Sequence, residues 1–159
     1  MSGASAFRRE TGTDGVLVVT LDVPGEKVNT LGKGLIAEFE GLLDEVEKDA
    51  SVRALVVRSG KPDSFVAGAD IKDFTRIRSA EEGEALSRTG HAILDRIAAC
   101  RVPVVAAIHG TCLGGGTELA LAETQAEHGT HRSQRFEIAS TALTRAFGSN
   151  GTEVWEVVP

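Results

Sequence analysis

Three consecutive glycines, Gly114, Gly115 and Gly116, stand just ahead of a carboxylate, Glu118, in the stretch PVVAAIHGTCLGGGTELALA from Pro103 to Ala122. The stretch opens with an apolar, proline-bounded run over 104–108 that reads as a short buried strand. It closes with a compact run of helix formers over 117–122. The glycines therefore fall where a strand hands over to a helix N-terminus, whose first N–H groups lack intrahelical acceptors and attract negative charge. Without a Cβ they also let another molecule come close to the backbone. A second glycine-bearing turn, Ala67-Gly68-Ala69, follows the apolar pair Phe65-Val66. If the two turns lie side by side, two backbone N–H groups can aim at one oxygen, which is the layout of an oxyanion hole. Two ordinary tight turns would have the same spacing. Glu118 adds a candidate acid or base, although a glutamate in the first turn of a helix favours the helix dipole without any catalysis. Lys61 and Lys72 flank the Ala67 turn and could meet an anion, yet isolated lysines mostly belong to solvated surface.

Other chemistries fail on particular residues. The run Gly110 to Thr117 has the glycine spacing of a phosphate loop, but Gly116 stands where the loop needs lysine. A dinucleotide fingerprint starting at Gly114 meets Leu119 where its third glycine belongs, and there is no G-x-S-x-G elbow. Cys100 and Cys112 are not in CxxC spacing and sit in or beside apolar segments, which favours packing over redox or metal chemistry. The four histidines form no ligand pattern, so no metal is expected. A net charge of −6 with 4% aromatic residues disfavours nucleic acid as a partner. There is no signal-peptide core and no apolar run of membrane-span length, so a cytoplasmic setting without a membrane span is expected.

The elements that must position these residues follow from periodicity. Gly15 to Leu21 is β-branched and reads as a strand. From Thr30 to Lys48 a helical stripe runs through Leu31, Leu35, Phe39, Leu42 and Val46, with Asn29 or Thr30 as its cap. Ala54 to Val57 is a second buried strand. Ser79 and Glu82 have capping-box spacing, and Leu86, Gly90, Ile93, Leu94 and Ile97 line one face of the helix they open. Pro103 stops that helix. The order of strands and helices indicates an α/β architecture. No internal repeat is visible. Beyond Ala122 the texture becomes polar, with a short helix expected over 139–147 and a strand over 154–158.

Two segments carry a family resemblance. Ser59 to Ile71, SGKPDSFVAGADI, and His109 to Leu119, HGTCLGGGTEL, together closely resemble the enoyl-CoA hydratase/isomerase (crotonase) superfamily. The forms KPDSF and GTCLGGG are most like the hydratase region that opens the multifunctional α subunits of fatty-acid oxidation complexes. The resemblance spans roughly Phe7 to Ala122 and includes VNTL at Val28 to Leu31. It implies a spiral of ββα units around an acyl-CoA pocket and hydration of trans-2-enoyl-CoA to 3-hydroxyacyl-CoA. It also implies that the N–H groups of Ala69 and Gly115 hold the thioester oxygen and that Glu118 is one of two catalytic glutamates. Ala67 and Lys72 match positions that contact the CoA adenine and phosphates. Gly68, Asp70, Gly114 and Gly116 complete the substrate-binding set. The coenzyme A thioester is the substrate, and no separate cofactor is implied. Family members oligomerise, and a thiolase subunit is a partner the resemblance suggests.

The tail departs from this pattern. Relatives follow the GGG-x-E helix with a second glutamate in a G-x-P-E context, and that context is absent here. Glu137 lies at nearly the right distance in different surroundings, and is the candidate for the second carboxylate. The chain thus reads as residues 1–122 of a hydratase domain followed by a divergent tail, 123–159, the fold being incomplete at the C-terminus. Weak or absent hydratase activity is expected of it. Enoyl-CoA isomerisation and acyl-CoA binding without turnover are the alternative functions.

Overall fold

The computed structural model describes residues 5–124. Glu137, and the helix and strand expected over 139–147 and 154–158, lie outside the described residues.

Three successive ββα units make up the fold. The first is β1 (Phe7–Thr11), β2 (Val16–Leu21) and α1 (Lys33–Lys48). The second is β3 (Ala54–Ser59), β4 (Ser64–Val66), a single-turn α2 (Ile71–Phe74) and α3 (Ala80–Ala98). The third is β5 (Val104–Ala107), β6 (Thr111–Cys112) and α4 (Gly115–Thr124). A four-stranded sheet runs in the order β1-β2-β3-β5, and β4 pairs with β6 in a second sheet. Among the described residues only the β1–β2 pair is antiparallel; β2–β3, β3–β5 and β4–β6 are parallel. This is the α/β layout of ββα units that the resemblance implies.

The central strands are near-continuous apolar runs because both faces of the sheet are buried. Alternation sorts their side chains. Leu17, Val19, Leu21, Leu55, Val57 and Val104 join the large core with α1 and α3. Val16, Val18, Ala54, Val56, Val105 and Ala107 form a smaller cluster on the opposite face. β1 is an edge strand with Phe7 buried and Arg8, Arg9 and Glu10 exposed, charges that discourage pairing with another chain. Phe7 packs edge-on against Phe39 of α1, ring centroids 5.6 Å apart.

Both ends of α1 are satisfied from elsewhere in the chain. Arg101 donates to the carbonyls of Val46, Asp49 and Val52, gathering acceptors that the helix C-terminus leaves open. At the other end Gly32 offers no side-chain cap, and Asp73 of α2 accepts from Lys33 N at 3.1 Å. The helix starts at Lys33, three residues later than its hydrophobic stripe suggests. Asn29 and Thr30 do not cap it. Residues 29–31 are instead drawn alongside Ala67–Asp70, with Leu31 bridged to Ala69, and the Asn29 side chain is spent inside the core. The Ser79 cap of α3 forms as expected, its hydroxyl accepting from Glu82 N at 3.2 Å.

Candidate functional site

The two glycine turns are neighbours, and the reason is strand pairing. Parallel register sets Ser64 opposite Thr111 and Val66 opposite Cys112, so β4 and β6 end at the same edge. The turns that follow them must then emerge side by side. Positive φ at Gly68 (107°) and Gly114 (50°) makes both turns possible, since a side chain at either position would be strained.

Ala69 and Gly115 meet across this junction. Leu31 N donates to Gly68 O at 2.8 Å and Leu31 O accepts from Asp70 N at 3.2 Å. In a parallel bridge of that kind the intervening residue presents its own amide to the opposite side. Ala69 N–H therefore faces away from the Leu31 strand. Gly115 opens α4, and the first intrahelical bonds belong to its successors: Gly116 N to Leu113 O, and Thr117 N and Glu118 N to Gly114 O. Among the described residues neither Ala69 N nor Gly115 N has an acceptor. A Cβ on Gly115 would stand 3.7 Å from Ala69 N, so the two residues are close neighbours.

Both residues line a cavity of about 240 Å³ between α1, α3 and the start of α4. Its wall is mainly apolar, with Leu35 and Phe39 from α1, Phe74 from α2, and Leu94 and Ile97 from α3. Three carboxylates reach it: Asp70, Asp73 and Glu118. Asp70 caps α2 by accepting from Lys72 N at 2.9 Å, and Asp73 caps α1. Glu118 is exposed, and its side chain makes no hydrogen bond or ion pair with a described residue. Of the three cavity carboxylates it is the one not engaged as a helix cap.

The other described residues singled out from sequence for the site are not among those that line the cavity. Ala67 donates its N–H to Asn29 O at 2.9 Å. Gly68 and Gly114 shape the turns. Gly116 is buried where α4 crosses Val66. Lys72 lies exposed beside the Ala67 turn, paired with Glu26 at 2.9 Å. That hydrogen bond, then the charges of Glu26 and Asp70, hold its ammonium above the usual lysine range, so it is a full positive charge. Lys61 differs from expectation. It is buried, paired with Asp22 at 2.6 Å, with Nζ donating to Val23 O and Glu26 O. Three acceptors offset its burial, and none of that charge is left for a ligand.

Sequence reasoning passed over Asp73, which ties α2 to α1, and underrated Asn29. Nothing local distinguishes Asp73 in the sequence. For Asn29 the signal was the VNTL segment itself.

Against proteins of known family, the profile of enoyl-CoA hydratase/isomerase matches residues 11–124. The fatty acid oxidation complex subunit alpha of Idiomarina loihiensis is 51% identical over 122 residues, which is 77% of this chain and 17% of that protein. The chain thus spans about a sixth of the length of such relatives. Among solved structures, an enoyl-CoA hydratase from Bacillus anthracis superposes with a TM-score of 0.67 at 27% identity, covering 74% of this chain and 45% of that one. An enoyl-CoA hydratase/isomerase from Xanthobacter autotrophicus gives 0.67 at 33% identity, covering 76% and 44%.

Proposed function

The chain belongs to the enoyl-CoA hydratase/isomerase family, and from that premise we propose that it adds water across the double bond of a trans-2-enoyl-CoA. The observation that carries this reading is the pair of amides without an acceptor among the described residues, Ala69 N–H and Gly115 N–H, from two residues that line an apolar cavity together with Glu118. The acyl chain takes the cavity between α1 and α3, and the thioester oxygen takes the two amides. Water then bonds to C3 while the C2–C3 π electrons move towards the thioester, leaving negative charge on its oxygen. Preformed donors act most strongly on that enolate-like state, and losing one typically costs 10²–10³ in kcat. Glu118 accepts the proton of the attacking water. A proton delivered to C2 completes the addition, a task for the second carboxylate, for which Glu137 is the candidate. Since relatives are subunits of a fatty acid oxidation complex, a thiolase subunit is the corresponding partner.

Isomerisation is a second reading, favoured by one observation. With Asp70 and Asp73 committed as caps, Glu118 is the free cavity carboxylate among the described residues, and a single base can carry a proton between C4 and C2. Parallel assays with a 2-enoyl-CoA and a 3-enoyl-CoA separate the two reactions. Binding of both without turnover would identify a non-catalytic acyl-CoA-binding chain.

The test of the shared premise is optical. Cinnamoyl-CoA has a thioester carbonyl conjugated to a ring, so donors on its oxygen shift its absorption to the red. The chain is expected to bind it with such a shift. Gly115→Ala is expected to bind it without one. Its methyl would sit 3.2 Å from Leu31 Cδ1, where a flexible side chain can yield, and 3.7 Å from Ala69 N, where it crowds the oxygen. A full red shift in folded Gly115→Ala would remove Gly115 from the oxyanion assignment.

Lys72 gives a separate check on the other end of the substrate. Lys72→Ala is expected to weaken cinnamoyl-CoA several-fold and to leave the cinnamoyl thioester of pantetheine, which lacks the nucleotide phosphates, unchanged. The difference should shrink as salt is raised, because the ammonium is exposed. Equal weakening of both ligands would place Lys72 outside the CoA site.

A further inference from the structure

We propose that Asn29 is a positioning residue for the oxyanion pair, its buried side chain setting the aim of the Ala69 amide; this rests on the oxyanion reading above. Asn29 is fully buried. Its Nδ2 shares two hydrogens among three acceptors, Leu21 O at 3.0 Å, Ser59 Oγ at 2.9 Å and Phe65 O at 3.1 Å, and its Oδ1 accepts from Val23 N at 3.0 Å. One amide group thus joins the ends of β2 and β3 to the middle of β4. Leu21 and Ser59 are paired partners in the four-stranded sheet, whereas β4 belongs to the two-stranded sheet and forms no ladder with β2 or β3.

The side chain also fixes a piece of backbone. Asn29 O accepts from Ala67 N at 2.9 Å, and two residues on Leu31 takes Gly68 O and gives its own carbonyl to Asp70 N. Segment 29–31 is therefore the template against which the Ala67–Asp70 turn is laid, and Ala69 N–H points at the cavity because its neighbours on either side are held. What holds the template in turn is the Asn29 carboxamide. Aspartate has no donor to offer Leu21 O or Phe65 O, and alanine would strip Phe65 O of its side-chain donor in the core and leave Leu21 O with Gly60 N. In either variant the cheapest relief is a shift of segment 29–31, which rotates the Ala69 peptide. Ser59 is the lever that can be removed gently, since its hydroxyl accepts from both Asn29 Nδ2 and Lys61 N and is small.

The experiment uses Asn29→Ala and Ser59→Ala in the full chain, with three readouts: thermal stability, the amide chemical shifts of Ala69 and of β1, and the affinity and red shift of cinnamoyl-CoA. Positioning predicts that folded Asn29→Ala still binds cinnamoyl-CoA but loses most of the red shift, with the Ala69 amide moved and the β1 amides in place. Ser59→Ala should show a smaller change in the same direction, and it decides the matter if Asn29→Ala does not fold. An unchanged red shift and an unmoved Ala69 amide in the folded variants overturn the proposal. So does a red shift that falls only in proportion to affinity and stability, the mark of a merely structural residue. If wild-type chain binds with no red shift, the oxyanion reading fails, and the Ala69 amide of the ligand-free variants still judges the positioning claim: moved supports it, unmoved overturns it.

Discussion

Exchange of Glu118 for glutamine is expected to slow hydration of a 2-enoyl-CoA by on the order of 10²–10⁴, the usual contribution of a positioned acid or base, with acyl-CoA affinity nearly unchanged. Glutamine keeps the length and hydrogen-bonding capacity of the side chain and loses the ability to take a proton. Glu118 is exposed at the cavity and its side chain makes no hydrogen bond or ion pair with a described residue, so the exchange breaks none of those described. The lost charge at the start of α4 weakens the helix only slightly, because such dipole effects are small and solvent-screened at exposed positions. A rate effect without a stability effect is therefore the signature of catalysis at this position. Unchanged turnover would return Glu118 to the role of helix-dipole partner. If the wild-type chain binds acyl-CoA and turns nothing over, the binding reading takes precedence, and Glu118→Gln should then leave every measured property where it was.

The residues whose sequence made them legible are those whose local pattern and tertiary role agree. β2, β3 and β5 are near-continuous apolar runs because both faces of the sheet are buried, and such runs announce themselves. β1 does not, since FRRET is a polar edge strand formed by pairing Phe7 with Leu21 rather than by burial of its own pattern. Leu31 is the instructive error. It extends the i, i+4 stripe of α1 by one step, yet its backbone is committed to the Ala67–Asp70 turn, and that non-local contact overrides helix periodicity. The three ββα units are a repeat of structure without a visible repeat of sequence, because each unit needs the same alternation of buried runs and not the same residues. For the site, spacing revealed two glycine turns and a carboxylate. It could not reveal that the turns touch, because their adjacency comes from β4–β6 pairing, with Ser64 bonded to Thr111 across 47 residues. The family motifs supplied that adjacency where periodicity could not. Lys61 was misjudged for the same reason: a loop lysine between Gly60 and Pro62 looks solvated until the Asp22–Glu26 loop closes over it.

The close approach of α4 to β4 leads to the second large expected effect, on folding rather than on rate. Gly116→Ala is expected to lower thermal stability sharply and to abolish the cinnamoyl-CoA red shift. A Cβ at Gly116 would fall inside the van der Waals envelope of Val66 O, 2.9 Å from Val66 Cβ and 3.0 Å from the Val66 carbonyl carbon. None of these atoms can swing aside, since Val66 is a fully buried strand residue whose carbonyl accepts from Leu113 N at 3.1 Å. Alanine's better helix propensity, about 0.8–1.0 kcal/mol over glycine, opposes the clash. Overpacking a rigid contact costs about 1–3 kcal/mol and occasionally more, so the steric effect wins, and the melting temperature should fall by several degrees, on the order of 5 °C. The helix can escape only by moving off β4, which carries Gly115 N away from Ala69 N and so removes the site along with the stability. Gly41→Ala is the control. Gly41 is exposed in the middle of α1 with nothing within 4 Å of an added methyl, so the same substitution there should stabilise the chain by about 0.5–1 kcal/mol. A Gly116→Ala chain as stable as Gly41→Ala, with the red shift intact, would mean that α4 does not need its glycine to dock and that the two amides are not held together by this contact.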